Sequence, residues 1–214
     1  MSTFRFAIMG AGNIAHQFCD AVTLVEDCEV SAIASKDLGR AQKFAEECSV
    51  AHAYDNYEQM LIEEKPDCVY IAVTPNDHFR LTMLCLEHRV PVLCEKAMFT
   101  NSAEAKAVFE KAEKDQTFVM EAMWSRFLPA VNQAKKWAAE GKIGRLEALQ
   151  GRIGFLAPEG ADNRYHSPLL CGGAATDITV YAYEIATWLV NEPVRKTYAA
   201  ANLDQTGVDL TDQV

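Results

Sequence analysis

A glycine-rich segment directly after the first apolar run carries the strongest chemical signal in the sequence. The run Phe4–Met9 is followed by a GxGxxA pattern made of Gly10, Ala11, Gly12, Asn13, Ile14 and Ala15. In dinucleotide-binding folds the first glycine permits a tight turn, the second lets a pyrophosphate approach the backbone, and the next helix supplies N–H donors. The pattern predicts dinucleotide binding; the alternative is a glycine-rich strand-to-helix turn without a ligand.

The second strand candidate, Glu29–Ser35, ends where such a protein selects its cofactor. NAD-binding proteins usually place an acidic residue there, which accepts a hydrogen bond from the ribose 2′-hydroxyl. Here Ser35 and Lys36 stand at the strand end and Arg40 follows, whereas Asp37 lies two positions beyond the expected acid. Cations and a hydroxyl bind a 2′-phosphate, which a carboxylate would repel. This favours NADP over NAD; the alternative is that Lys36 and Arg40 are solvated charges at a helix start.

Two later strand candidates also end in polar residues. Cys68–Val73 is followed by Thr74, Pro75, Asn76, Asp77 and His78, and Val90–Cys94 is followed by Glu95 and Lys96. Because ligands of doubly wound sheets bind beyond the carboxyl ends of the strands, both turns are predicted to lie beside the cofactor. For His78 the alternative is a residue that only neighbours a helix N-cap. A Glu-Lys pair after a buried strand is unlike a run of solvated charges.

The elements that position these residues alternate between strand and helix over residues 1–122. Helical patterns are predicted for Asn13–Leu24, Leu38–Cys48, Tyr57–Glu64, Arg80–His88 and a segment ending near Lys114, before a last strand at Thr117–Met120. Asn101 and Glu104 have the spacing of a capping box at the start of the fifth helix. The alternation predicts an α/β fold with a doubly wound parallel (Rossmann) sheet. Residues 1–122 are therefore predicted to form a dinucleotide-binding domain.

The pattern changes in residues 123–214. The sequence predicts a helix at Pro129–Glu140, a long strand at Leu146–Phe155, a polar loop at Ala157–Ser167, a helix over about Gly173–Asn191 and a strand at Val194–Leu203. These elements suggest the first part of an α+β domain, with too few strands to form a covered sheet. We expect either a fragment of a longer protein, a partner that covers the sheet, or a second domain that is incompletely formed.

Composition excludes several classes of protein. The 214 residues carry a net charge of −10, which argues against general binding of nucleic acid or of an anionic membrane surface. No apolar run approaches the roughly 20 residues of a membrane span. The seven cysteines contain no CxxC pair and the five histidines show no metal-ligand spacing. This usage predicts reduced thiols in the cytoplasm and no metal site.

Six motifs occur in a characteristic order. They are AIMGAGNIA, IASKDLGRAQKFA, TPNDHF, CEKA, EAMWSRFLPA and GGAATDITVY. Together they resemble the Gfo/Idh/MocA family of oxidoreductases, and the tyrosine at position 181 looks most like the branch of the dimeric dihydrodiol dehydrogenases and glucose-fructose oxidoreductase. The resemblance implies an NAD(P)-dependent enzyme acting on CH–OH groups, with a second domain used for substrate binding and dimerisation.

The resemblance also implies catalytic roles. Lys96 and Tyr181 would flank the reacting oxygen, with Asp177 close by. A cationic Lys96 would stabilise the charge that develops on this oxygen during hydride transfer, and Tyr181 would exchange the proton. Asp177 would orient the substrate or Lys96. Without the glycine-rich loop before them, Asp177 and Tyr181 would be interpreted as a helix-capping acid and a core tyrosine.

The same comparison of motifs extends the predicted binding site. Trp124, Arg126 and Phe127 are expected near the nicotinamide or the substrate, although Phe127 is equally consistent with a core position. The predicted cofactor-binding residues are Gly10, Ala11, Gly12, Asn13, Ile14, Ser35, Lys36, Arg40, Thr74, Pro75, Asn76, His78, Glu95, Lys96, Trp124 and Arg126. Two positions depart from the family pattern. Thr179 replaces a glycine, and Ala97 replaces a proline whose cis bond shapes the turn. A cis bond before alanine costs about 3 kcal/mol, so we expect a differently directed Lys96.

These features predict an NADP-dependent oxidoreductase that transfers a hydride between nicotinamide and a sugar, polyol or vicinal diol or carbonyl compound, working as a homodimer. A non-catalytic NADP-binding sensor of the same fold is one alternative, which Ala97 allows. An interaction fragment with a vestigial dinucleotide site is another. The presence of Lys96, Asp177 and Tyr181 favours the enzyme.

Overall fold

The computed structural model describes residues 3–158, 160 and 163–214, so the predicted loop Ala157–Ser167 lies partly outside the described residues. The chain divides into two compact units, Met1–Ala122 and Met123–Val214, and each is described by itself. Among the described residues, no helix combines the length and apolar character needed to cross a membrane.

The first unit is a six-stranded parallel sheet in the order β3-β2-β1-β4-β5-β6. Its strands are β1 Phe4–Met9, β2 Cys28–Ala34, β3 His52–Tyr54, β4 Cys68–Ile71, β5 Val92–Cys94 and β6 Val119–Glu121. The helices are α1 Asn13–Val22, α2 Leu38–Cys48, α3 Tyr57–Glu64, α4 His78–Glu87 and α5 Ser102–Asp115, with a short 3-10 helix at Pro75–Asp77 before α4. This order confirms the predicted Rossmann sheet.

Alternate residues of the central strands pack into opposite layers of the core. Ala7 and Met9 belong to the cluster that contains side chains of α3 and α4. Ile8 points the other way, into the cluster with Ala15 of α1 and Phe44 of α2. Because helices cover both faces of the sheet, the strand residues that point to either face are apolar, as is usual for parallel sheets.

Side-chain caps fix the starts of three helices in the first unit. The side chains of Asp37, Asn56 and Asn101 accept hydrogen bonds from backbone N–H groups three residues later, at the starts of α2, α3 and α5. At Asn101 one of the two hydrogen bonds of the predicted capping box is confirmed, the one from the backbone N–H of Glu104 to the Asn101 side chain. The carboxylate of Glu104 instead accepts from the backbone N–H and the hydroxyl of Thr100, 3.0 and 2.9 Å away.

The described part of the second unit contains two α-helices, several short helical turns and one small sheet. A 3-10 helix at Trp124–Phe127 leads into α6 at Pro129–Ala139, and a π-helical turn at Ala175–Thr179 leads into α7 at Val180–Val190. Two shorter 3-10 helices lie between them, at Arg164–His166 and Pro168–Leu170. The strands β7 Ala200–Leu203 and β8 Asp209–Gln213 form an antiparallel pair.

Two strand predictions in the second unit need correction. Leu146–Phe155 is not a strand, and of the predicted Val194–Leu203 only Ala200–Leu203 is one. An extended segment becomes a strand only when a neighbour satisfies its backbone groups. Residues 149–155 do not pair with the hairpin of β7 and β8; instead, both line a cavity of about 1130 Å³. Strands β3 and β8 were not predicted from the sequence.

Candidate active site

Gly10 is required by the fold itself. Its φ angle is +110°, and a Cβ atom built on it would lie 2.7 Å from the carbonyl oxygen of Ala72, at the end of β4. The backbone N–H of Gly10 donates to the carbonyl of Ala34, 2.8 Å away at the end of β2. The first glycine of the pattern therefore lets β1 turn tightly between its two neighbouring strands.

Gly12 is not required by the fold. It is the N-cap of α1 with an extended backbone (φ −105°, ψ 177°), and an added Cβ atom would meet only Ala72 O, at 4.0 Å. By helix geometry the N–H groups of Asn13 and Ile14, in the first turn, have no acceptor within the helix. Ala15 behind them is fully buried. Ala11 and Gly12 form a loop of small residues that leads into the N-terminus of α1. Such a helix start suits a pyrophosphate.

The residues after β2 include two cations, and the one carboxylate among them, that of Asp37, caps α2. Ser35 is buried, and its hydroxyl accepts from the backbone N–H of Asp37 at 3.4 Å. The Asp37 carboxylate accepts from the backbone N–H of Arg40 at 2.9 Å and so caps α2. The guanidinium of Arg40 reaches back to the carbonyl of Ala11, 3.3 Å away. The fold thus brings Arg40 beside the glycine-rich loop, as a shared cofactor site requires.

Lys36 pairs with Asp77, which also contacts Arg80; neither partner was given a role from the sequence. Its ammonium lies 2.5 Å from one carboxylate oxygen of Asp77, in the turn after β4. Arg80 of α4 contacts the other oxygen at 3.3 Å, and its guanidinium lies 5.9 Å from the ring centre of Tyr57. The only available signal was the position of Asp77 within the motif Thr74-Pro75-Asn76-Asp77-His78. A pairing 41 residues apart in sequence cannot be deduced from local spacing.

His78 is fully buried and bonded to the protein backbone. Its Nδ1 lies 3.0 Å from Ala97 O and 3.2 Å from Met98 O, and its Nε2 lies 3.0 Å from Val73 O. The imidazole therefore lies between the end of β4 and the turn that follows β5, with each ring nitrogen facing a carbonyl and able to donate only when it carries a hydrogen. We propose that His78 positions the Lys96 turn and does not touch the cofactor itself.

Replacing His78 tests this positioning. Burial lowers its pKa, although hydrogen bonds to the three carbonyls act to raise it. A base with a lowered pKa makes the folded state less stable as pH falls below the unfolded value, near 6.5. We expect the free energy of unfolding to fall between pH 7 and pH 5 in the wild type, and less so in His78→Asn. The variant should also lose about 1–3 kcal/mol at pH 7, because buried carbonyls lose their donor.

Urea unfolding at several pH values measures both effects. His88→Gln is the matched control, because His88 lies just after the same helix and pairs with Glu58 at 3.4 Å on the surface. It should keep the wild-type decline with pH. An unchanged decline in His78→Asn would contradict the prediction.

The Glu95–Lys96 turn is held by a buried network. Tyr70 Oη donates to Glu95 Oε1 at 2.6 Å, and the backbone N–H of Lys96 donates to Glu95 Oε2 at 3.2 Å. Burial raises the pKa of Glu95, with a small further contribution from the charge of Glu121, although its hydrogen bonds oppose this. Glu121 in turn accepts from the backbone N–H of Met98 at 2.9 Å. Glu95, which is predicted to bind the cofactor, thus accepts hydrogen bonds that also hold the turn.

The peptide bond between Lys96 and Ala97 is cis, although no proline follows Lys96.

In the second unit, Tyr181 is bonded to Trp124. The indole Nε1–H donates to Tyr181 Oη at 2.8 Å, and the two rings meet edge to face with centroids 5.9 Å apart. Since an indole can only donate, the phenol oxygen is the acceptor. The hydroxyl hydrogen of Tyr181 is consequently directed elsewhere. Tyr181 is half-buried, and its partner Trp124 is 55% exposed.

Arg126 has a role that sequence reasoning did not foresee. Its guanidinium pairs with the buried carboxylate of Glu184 and lies 4.5 Å from the ring centre of Trp188. Ser125 Oγ donates to the same carboxylate at 3.1 Å. Arg126 therefore anchors the 3-10 helix at Trp124–Phe127 to α7. Phe127 is two-thirds exposed, so it is not a core residue of this unit.

Asp177 lies in the π-helical turn that precedes α7. Its carboxylate accepts from Arg164 at 3.1 Å, a residue that the sequence analysis did not select. The two glycines before the turn are both required. A Cβ atom on Gly172 would lie 2.4 Å from Arg164 O, and one on Gly173 would lie 2.1 Å from the carboxylate of Asp209. π-turns are rare and often occur at functional sites.

Comparison with known protein families decides the classification. Residues 4–123 match the family described as "Oxidoreductase family, NAD-binding Rossmann fold" (GFO_IDH_MocA), and residues 131–214 match the "GFO/IDH/MocA C-terminal domain". The chain belongs to the GFO/IDH/MocA oxidoreductase family. This confirms the resemblance found in the motifs, and it places GFO/IDH/MocA sequence on both sides of the boundary between the two units.

Individual proteins that are similar to this chain extend this finding. The chain is 32% identical to the mouse trans-1,2-dihydrobenzene-1,2-diol dehydrogenase over 98% of its length, and it spans 63% of that relative. It is 26% identical to a variant of KijD10, a 3-ketoreductase from Actinomadura kijaniata solved with TDP-benzene and NADP (TM-score 0.62, 67% of this chain and 44% of that chain). An NAD-binding protein from Listeria innocua shares the fold (TM-score 0.82, 23% identity, 95% of this chain and 59% of that chain).

Proposed function

We propose that the protein is an NADP-dependent oxidoreductase that transfers a hydride between nicotinamide and a vicinal diol, a polyol, a sugar or the corresponding carbonyl compound. The observation that carries the proposal is Gly12. The fold accepts a larger residue there, so the close approach of a pyrophosphate to the first turn of α1 explains the glycine. Residues 1–122 would bind the cofactor, and residues 123–214 would contribute to substrate binding.

The preference for NADP rests on the end of β2. Ser35, Lys36 and Arg40 supply a hydroxyl and two cations, whereas the nearby Asp37 carboxylate is occupied as the cap of α2. A 2′-phosphate dianion is stabilised by such a set, and a ribose 2′-hydroxyl lacks the acceptor that it usually finds. The 3-ketoreductase relative solved with NADP is consistent with this choice, although other structures of the same fold contain NAD.

The proposed chemistry uses three side chains of this chain. Bound NADP supplies the hydride acceptor or donor. Lys96 would hold the substrate oxygen and stabilise its developing negative charge, and Tyr181 would take or return the proton on that oxygen. Asp177 would orient the substrate, with Arg164 fixing its carboxylate.

Trp124 supports the role proposed for Tyr181. A hydrogen bond donated to the phenol oxygen stabilises negative charge on that oxygen when the proton leaves. The same bond restricts the ring, which lowers the entropy lost on reaching the reactive geometry. Trp124 would therefore act through Tyr181 as well as by contact with an apolar part of the substrate.

The relatives narrow the substrate class. Several GFO/IDH/MocA relatives from vertebrates are named trans-1,2-dihydrobenzene-1,2-diol dehydrogenases. Trp124, which contacts Tyr181, is more than half exposed and offers apolar surface beside it. A vicinal diol or hydroxy-carbonyl compound with an apolar ring would suit this surface, so such compounds come first in a substrate panel.

Location and assembly complete the proposal. Cys19, Cys68, Cys85 and Cys94 are free thiols buried in the first unit, which suits a reducing cytoplasm. The exposed two-stranded sheet of β7 and β8 is the surface that we propose for a dimer.

A fluorescence titration with NADPH and NADH tests the cofactor. We expect NADPH to bind at least about tenfold more tightly than NADH, and Lys36→Ala with Arg40→Ala to abolish the difference, since each phosphate contact contributes roughly 1–2 kcal/mol. Lys43→Ala is the matched control, because this lysine lies on α2 next to the site but pairs with Glu47. A preference for NADH would contradict the NADP proposal. Binding without turnover across the substrate panel would favour the sensor.

A further inference from the structure

A carboxylate lies among the cations that would bind the 2′-phosphate. We define the Asp77 cluster as Lys36, Asp77 and Arg80. Both oxygens of Asp77 are occupied: Lys36 Nζ is 2.5 Å from Oδ2 and Arg80 Nε is 3.3 Å from Oδ1. None of the motifs in the sequence assigns a function to this pairing.

The carboxylate is held in place by the fold, whereas the lysine is not. The side chain of Asp77 is 16% exposed and that of Lys36 is 67% exposed. Asp77 ends the 3-10 helix at Pro75–Asp77, and the next residue, His78, is fully buried and bonded to three carbonyls. A bound anion could therefore draw Lys36 away from the pair, but Asp77 would stay.

Asp77 is charged at neutral pH. Burial alone would raise its pKa, but the hydrogen bond and charge of Lys36, together with Arg80, lower it below the ordinary value. A phosphate that contacted Lys36 would therefore lie close to a negative charge as well as to a positive one. Like charges at such distances repel each other, and solvent weakens the repulsion without removing it.

We propose that Asp77 limits the preference of this protein for NADPH over NADH, because its fixed carboxylate competes with the 2′-phosphate for Lys36 and repels it. Asp77 is thus a residue that determines cofactor specificity from the turn after β4. The residues that usually distinguish NADP from NAD lie at the end of β2. The inference rests on the proposed NADP site. It separates two contributions to that site, the cations that attract the phosphate and the carboxylate that weakens their effect.

Calorimetry with two nucleotides isolates this effect from the chemistry. Adenosine 2′,5′-bisphosphate contains the 2′-phosphate, and 5′-AMP lacks it but is otherwise the same. We expect Asp77→Asn to bind the bisphosphate about fivefold more tightly than the wild type, while 5′-AMP binding changes less than about twofold. The gain should be larger at low salt than at high salt. In a Lys36→Met background the gain should shrink, since the competition for Lys36 no longer exists.

Asp115→Asn is the charge-matched control. Asp115 pairs with Lys111 at 2.8 Å on α5, and its substitution changes the net charge by the same amount. It should leave both affinities unchanged. Unchanged or weaker binding of the bisphosphate by Asp77→Asn, with wild-type preference for the bisphosphate, overturns this inference but leaves the NADP proposal intact. The same holds for an equal gain with both nucleotides. Binding of neither nucleotide by any of the proteins overturns both proposals.

Discussion

Replacing Lys96 by alanine is expected to lower turnover by roughly 100- to 1000-fold, with NADPH affinity changed much less. The reason is that the lysine would stabilise negative charge that exists on the reacting oxygen mainly in the transition state. Tyr181→Phe should lower turnover by a similar factor, since it removes the proton donor but keeps the ring. Steady-state kinetics on the diol panel, together with the cofactor titration, measures both effects.

Matched controls exist for both substitutions. Lys106→Ala removes a lysine of α5 that pairs only weakly with Glu110, at 3.8 Å on the surface. Tyr183→Phe removes a hydroxyl from the same helix as Tyr181, two residues further along and half-exposed. Both controls should keep wild-type turnover. Unchanged turnover in Lys96→Ala and Tyr181→Phe would show that neither residue takes part in the reaction.

Gly12→Ala should mainly weaken NADPH binding, whereas Gly10→Ala should mainly lower the stability of the fold. At Gly12 the backbone is extended and the new methyl group meets nothing closer than 4.0 Å, so the loss of stability should stay below about 1 kcal/mol. The methyl group would nevertheless block the pyrophosphate, and NADPH affinity should fall at least about tenfold. At Gly10 the φ angle of +110° and a contact of 2.7 Å with Ala72 O predict a loss of about 2 kcal/mol or more in stability.

Thermal unfolding and the NADPH titration separate these cases. Gly12→Ala should melt near the wild type and bind poorly, whereas Gly10→Ala should melt earlier whether or not it binds. Gly141→Ala serves as a further comparison, because its φ of +70° imposes backbone strain but no atom lies within 4 Å of the new methyl group. Normal NADPH binding by Gly12→Ala would remove the observation on which the proposed function depends.

The first unit could be predicted almost entirely from local sequence. Strand β1 and helices α2 and α3 have the predicted bounds, because apolar residues recur with the period of each element and the ends are marked by Asp37 and Asn56, whose side chains cap the helices. Strand β3, His52–Tyr54, was missed because it lacks the run of consecutive apolar residues that marks β5. The family, confirmed by both matching domains, was likewise present in the order of short motifs.

The second unit was harder because its extended segments depend on distant partners. The alternating residues of Leu146–Phe155 have strand character, yet a strand forms only when another strand pairs with it. The hairpin of β7 and β8 is stabilised by pairing between residues about ten positions apart, and that pairing selected Ala200–Leu203 from the longer predicted strand.

The sequence alone determined the type of protein: a Rossmann sheet with a glycine-rich loop after β1, cations at the end of β2, and the motif residues Lys96, Asp177 and Tyr181. Local spacing encodes these features, because strand and helix periods and the turn chemistry of glycine act over a few residues. Tertiary structure alone decided which side chains meet. Asp77 holds Lys36, His78 supports the Lys96 turn, and Trp124 donates to Tyr181. These contacts join residues from 19 to 57 positions apart, and only the packing of strands and helices brings such residues together.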